Sequence, residues 1–139
     1  MTHKIIGKYI KELKFNIPNP KTFFLLAKDI GNYKINIDIK SVQVEQSIIE
    51  VLTTLKLSPV KDNFEKIDTK IIFSTIVEFS NENLAKEEME KTILVDIPSK
   101  IYPELRRIFV FLFENSGFKD IKINETVDFE KLYKMRKVQ

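Results

Sequence analysis

Few residues in this chain have the type and spacing that covalent or acid–base chemistry requires. Histidine occurs once, as His3, and cysteine does not occur. That excludes disulfide frameworks, thiol nucleophiles, iron–sulfur ligation and any Cys/His zinc site. A Ser/His/Asp triad is disfavoured as well, because its one candidate base would sit at a chain end, where backbones fray. Glu87 and Glu88 are adjacent in a helix-like stretch, and adjacent helical side chains diverge instead of sharing a proton. Gly7, Gly31 and Gly117 stand alone, outside any phosphate-cradling loop. No catalytic residue, metal ligand or cofactor is expected, so the chain reads as a non-enzyme.

The charge balance adds further exclusions. Lys and Arg number 23 against 20 Asp and Glu, a net charge of +3. The densest basic cluster, Lys131, Lys134, Arg136 and Lys137, lies in a C-terminal helical turn, where the helix dipole favours cations. Nucleic-acid binding would instead require a basic face with stacking aromatics. No apolar run approaches the roughly 18 residues of a membrane span. The segment Met1 to Ile6 lacks the apolar core of a secretory signal. A cytoplasmic protein of 139 residues, one domain spanning 1–139, is the expectation.

What the chain holds in excess is apolar and aromatic surface. Its 11 Phe include those of Phe23-Phe24-Leu25-Leu26 and of Ile108-Phe109-Val110-Phe111-Leu112-Phe113. The 20 Ile and 9 Val against 2 Ala argue for strands and against a helical bundle. Alternation predicts strands over about 8–17, 33–44, 48–57 and 70–79. In the first, Tyr9, Leu13, Phe15 and Ile17 share one face, while Lys8, Glu12, Lys14 and Asn16 share the other; Ile10 and Lys11 interrupt the pattern. Pro18-Asn19-Pro20 ends this strand and leads into a loop carrying Phe23 to Leu26. The second strand changes phase after Ser41, which reads as a bulge. Lys61-Asp62-Asn63 is a turn between the third and fourth strands.

The period then changes. Helices are predicted over about 82–91 (capped by Asn81 or Asn83), 99–116 and 128–137 (capped by Asp128), with Ile93 to Pro98 as an extended linker. Ser99 caps the long helix, and Ile101, Leu105, Ile108 and Leu112 form its stripe. Because Ile108 to Phe113 is apolar in every direction, one sheet cannot cover this helix. A second subunit, or a bound apolar ligand, must cover the rest. The order ββββ-ααα gives an α+β fold, a four-stranded antiparallel sheet with helices on one face.

Several of these strings resemble the SecB family of protein-export chaperones. Tyr9 to Pro20 resembles the family's first strand and its exit, and Tyr33 to Val44 its second strand, reached by a crossover loop. Ile101-Tyr102-Pro103 with Arg106 resembles the start of its long helix. Gly117-Phe118, then Val127-Asp128-Phe129 and Leu132-Tyr133, resemble its helix exit and terminal helix. The resemblance implies an ATP-independent holdase that keeps non-native precursor polypeptides in apolar grooves and assembles as a homotetramer, a dimer of dimers. Carried over by position, it implies polypeptide-binding roles for Phe23, Phe24, Leu25, Tyr33, Ile101, Leu105 and Phe109. The oligomer interface falls on Ile108, Phe111, Leu112 and Phe113.

The family docks the export motor SecA through acidic positions on the exposed sheet face. Here Glu12 stands at one such position and is the candidate docking residue, but Asn16 occupies another, and Lys11 and Lys14 flank them. The family's glycine pair in the fourth strand is replaced by Thr75-Ile76-Val77-Glu78, and the final residues are basic. Two alternatives stand beside the export reading. One is a SecB-like chaperone guarding an antitoxin; the other is a small apolar-ligand-binding or oligomerisation domain.

Overall fold

A computed structural model describes residues 3–28, 33–59, 68–80, 85–118 and 123–138. The expected turn at Lys61 to Asn63, the caps Asn81 and Asn83, and Gly31 lie outside the described residues. Four strands form one antiparallel sheet: β1 (His3–Asn16), β2 (Tyr33–Glu45), β3 (Ile48–Pro59) and β4 (Asp68–Phe79). Their spatial order is β1-β4-β3-β2. β2 to β4 form a meander, and the chain from β1 to β2 crosses from one sheet edge to the other.

Strict alternation gives the sheet two faces. Val51, Leu55 and Leu57 of β3 and Ile71, Phe73, Val77 and Phe79 of β4 are buried on the face that the helices cover. Ile35, Ile37 and Ile39 of β2 continue that face and pack against the core.

β1 departs from the sequence reading. Its register with β4 shifts between Ile5 and Gly7, and again between Ile10 and Glu12. Each extra residue reverses the side that later residues face. Ile10, Leu13 and Phe15 therefore face the helices, while Tyr9, Glu12 and Lys14 face away. Tyr9 and Leu13 do not share a face, and neither do Lys8 and Glu12. Lys8 reaches the helix side, where its Nζ meets Glu104 Oε1 at 2.7 Å. The interruption at Ile10 and Lys11 was the bulge itself. In β2 the register shift falls between Gln43 and Glu45, not after Ser41. His3 is not in a frayed end: it pairs with Phe79, the ring centroids 6.1 Å apart.

The expected loop at Phe23 to Leu26 is a helix, α1 (Pro20–Lys28). Asn19 starts it, its Oδ1 accepting from the Thr22 backbone N–H at 2.9 Å and from the Thr22 hydroxyl at 3.0 Å. Pro20, at the first helical position, loses nothing by lacking an N–H. The two prolines that end the strand thus flank the cap of the next element.

The expected linker is helical as well. α2 (Lys86–Lys91) runs through a widened π turn (Thr92–Asp96) into α3 (Ile97–Glu114) without a break. Pro98 explains the widening: its ring would crowd the carbonyl of Leu94 in a regular α-turn, and it has no N–H to donate. Ser99 is consequently inside a helix and caps nothing, and Pro103 is interior.

The buried stripe of α3 is Ile97, Ile101, Leu105, Phe109 and Phe113, rather than the expected set through Ile108 and Leu112. A four-residue repeat drifts by about 40° per step around the helix, so the stripe winds along a twisted sheet. Gly117, at φ 99°, closes the helix as the Phe118 N–H turns back to Phe113 O at 3.1 Å. α4 (Phe129–Val138) is capped by Asp128, whose Oδ1 accepts from the Lys131 N–H at 3.0 Å. Its approach is strapped to α3: Tyr102 donates to Asn124 O at 2.7 Å and Arg106 to Ile123 O at 3.1 Å.

Candidate functional site

Among the described residues β2 is an edge strand, hydrogen-bonded to β3 alone. Its other side presents backbone donors and acceptors, a template on which an extended polypeptide can pair. Against this edge, the π turn and α4 enclose a cleft of about 560 Å³ lined by Ile39, Lys40, Ser41, Glu90, Ile93, Leu94 and Tyr133. A second hollow of about 170 Å³ shares Ile39, Leu94 and Tyr133 and adds Ile37, Asp38 and Leu132. The two form one groove along β2 with an apolar floor and charges at its rim. The π turn shapes it, sending Ile93 and Val95 into the core and leaving Leu94 half-buried. Leu132 is 46% exposed on α4.

The residues picked out in the sequence separate into exposed and buried sets. In α1, Phe24 is 66% exposed, while Phe23 and Leu25 are half-buried. The Phe23 ring lies 5.4 Å from that of Phe24 and 5.0 Å from that of Phe118. Tyr33 opens β2, paired with Pro59. Ile101, Leu105 and Phe109 line no groove: they are buried between α3 and the sheet, as the winding stripe requires. Phe113 is likewise within the subunit core, its ring 5.0 Å from Phe15 and from Phe109, and so cannot face another subunit. Ile108 and Leu112 are half-buried and Phe111 is 60% exposed. The groove residues Ile37, Ile39, Ile93, Leu94, Leu132 and Tyr133 were missed. Their one sequence signal was the clean alternation of β2, which says nothing of what flanks it.

The sheet face away from the helices carries Glu12, with Lys14 at 3.3 Å and Lys70 at 3.8 Å. At its centre Glu50 is only 9% exposed. Its carboxylate accepts from Tyr9 Oη at 2.6 Å, from Ser74 Oγ at 2.7 Å and from Lys11 Nζ at 3.3 Å. Tyr9 first, then Ser74 and Lys11, hold the Glu50 carboxyl below its ordinary range against the opposing effect of burial. Among the described residues no group of three or more His, Cys, Asp and Glu is placed to hold a metal ion. None of their helices is long and apolar enough to cross a membrane.

Known proteins share this fold. A Mycobacterium tuberculosis SecB-like chaperone, solved in complex with a ChAD peptide from the HigA1 antitoxin, superposes with a TM-score of 0.66 at 10% identity. The match covers 91% of this chain and 88% of that one. The family model described as preprotein translocase subunit SecB matches residues 1–139. A SecB relative from Pelagibacter ubique is 42% identical over 134 residues, 96% of each chain. The protein-export protein SecB of Rhodospirillum rubrum is 26% identical over 135 residues, 95% of this chain and 80% of its own. The chain belongs to the SecB family.

Proposed function

We propose that this SecB-family chain is an ATP-independent cytoplasmic holdase that keeps non-native precursor polypeptides extended for export. The observation that carries the reading is the open β2 edge beside the groove of Ile37, Ile39, Leu94 and Leu132. Backbone pairing along an edge is indifferent to client sequence, and apolar pockets select only for apolar side chains. Phe23, Phe24, Leu25 and Tyr33 extend the capture surface from the crossover. Relatives named for protein export favour export over antitoxin guarding, since the antitoxin complex belongs to a protein that shares the fold at 10% identity.

Assembly completes the proposal. The outward side of α3 presents Phe111 and Val110 in a shallow recess with Pro103, Arg106, Arg107 and Glu114. With Ile108 and Leu112 it forms the face through which subunits pair into a tetramer. A basic SecA segment gains little at Glu12, whose carboxylate Lys14 and Lys70 already engage.

Suppression of aggregation of a chemically unfolded client tests the function. Suppression at stoichiometric tetramer without ATP is expected. Unchanged aggregation, with the oligomer intact, would sink the holdase reading.

A further inference from the structure

The face of the sheet away from the helices carries more positive charge than its own carboxylates neutralise. Register places Lys14 directly opposite Lys70, and Lys70 directly opposite Lys56, so three lysines stand side by side across β1, β4 and β3. Like charges directly opposite in a sheet disfavour the pairing, so folding alone gives no reason for this row. Glu12 answers two of the three, at 3.3 Å from Lys14 and 3.8 Å from Lys70. Over the described side chains of this face, Lys4, Lys11, Lys14, Lys34, Lys40, Lys56 and Lys70 stand against Glu12, Asp38, Glu45, Glu50 and Glu78. Seven minus five gives +2.

Three of these carboxylates, Glu12 included, are committed, while Asp38 and Glu45 enter no ion pair among the described residues. Glu78 pairs with Lys4 at 3.7 Å and Glu50 with Lys11 at 3.3 Å. Among the described residues no ion pair engages Lys34, Lys40 or Lys56. Ile72, next to the row, and Leu52, one same-face step further along β3, are half-buried on the same face.

From this we infer that the lysine-bearing sheet face docks an acidic polypeptide segment, with Lys14, Lys56 and Lys70 meeting its carboxylates and Ile72 and Leu52 its apolar side chains. The inference is independent of the holdase reading, because the groove lies at the β2 edge. A polypeptide fits better than a nucleic acid. Glu12 and Glu50 interrupt the positive field that a continuous phosphate backbone needs, and Tyr9, the aromatic available for stacking, is bonded to Glu50.

The test uses the assembled protein and a fluorescein-labelled 12-residue peptide repeating Asp-Ile-Glu-Ser, with a Lys-Ile-Lys-Ser control. Anisotropy should show the acidic peptide binding at low salt and weakening as salt rises, with the control at least tenfold weaker. The triple variant Lys14→Gln, Lys56→Gln, Lys70→Gln should weaken acidic-peptide binding at least tenfold while holding an unfolded client as before. Amide shifts in the labelled protein should fall on β1, β3 and β4 and not on the β2 groove. Equal binding by the triple variant, tighter binding of the basic control, shifts confined to the groove, or tighter binding of a 12-nucleotide single-stranded RNA would each overturn the proposal.

Discussion

The ring of Phe23 rests on Gly117: a β-carbon at position 117 would come within 3.0 Å of Phe23 Cε2 and 3.2 Å of Cζ. This contact ties α1, in the crossover between sheet edges, to the end of α3. Phe118 and Phe113 extend it as a run of rings, their centroids 5.4 Å apart. The crossover is therefore anchored through Phe23, and Phe24, the next residue, is left facing solvent.

Replacing Gly117 by Ala combines two penalties. The φ of 99° disfavours any L-residue by about 1–2 kcal/mol, and the new methyl group must displace Phe23. Gly117→Ala should lower the thermal midpoint by several degrees and increase proteolysis within α1. An unchanged midpoint would mean that α1 is not held at this contact.

Three threonines on the buried sheet face, Thr53, Thr69 and Thr75, have hydroxyls without a hydrogen-bond partner among the described residues. Thr75 is fully buried at the centre of β4. Thr75→Val removes the uncompensated hydroxyl and suits a strand, so it should stabilise the fold by about 1 kcal/mol. Denaturant titration reads this directly, and a loss of stability would contradict it.

Glu50 predicts an acid limb. Its folded pKa is depressed, chiefly by Tyr9, below the ordinary 4.5. The stabilisation is thus complete above the unfolded value and is lost as pH falls through the lower folded value. Glu50→Gln should flatten the fall in stability below about pH 4.5 and leave the neutral-pH pH-dependence unchanged. Parallel pH–stability curves for the two proteins would refute the assignment.

Phe111 offers a clean test of assembly, because it is 60% exposed and contributes little to the subunit core. Burying such an aromatic at an interface is worth on the order of 2 kcal/mol. Phe111→Asp should shift sedimentation toward the 16.4 kDa monomer while retaining the circular dichroism of the fold. A variant that remains fully assembled would remove this face from the interface.

The sheet was legible because period-2 alternation is local: β2 and β4 can be read residue by residue. β1 was harder, since two bulges reverse its faces and only pairing with β4 reveals where. The α1 error came from reading Pro18-Asn19-Pro20 as a stop, when Asn19 before Pro20 is also a helix start. The π turn was missed because β-branched residues before Pro98 look extended, whereas tertiary packing of Ile93 and Val95 makes them helical. The stripe of α3 depends on sheet twist, so which of Ile108 and Phe109 faces the core could not be read from spacing alone. The groove is less legible still: β2, the π turn and α4 are far apart in sequence, and their meeting is purely tertiary.

That tertiary meeting separates two parts of the proposed capture surface, and single variants can weigh them. Leu132 projects from α4 beside the β2 groove at 46% exposure, and Phe24 from α1 at 66%. Neither is needed to hold the subunit together, unlike Phe23, whose replacement would also free Gly117 and Phe118 of their partner. Covering the exposed half of either side chain is worth about 1 kcal/mol, about fivefold in Kd. Leu132→Asp and Phe24→Asp should each weaken binding of an unfolded client by at least that factor, since a charge replaces the lost apolar contact. If one extended client spans both patches, the double variant should lose roughly the product of the two factors. Loss in Leu132→Asp alone would confine capture to the β2 groove and make α1 a cover for the core. Loss in Phe24→Asp alone would move the site to the crossover and leave the open β2 edge without a role in holding clients.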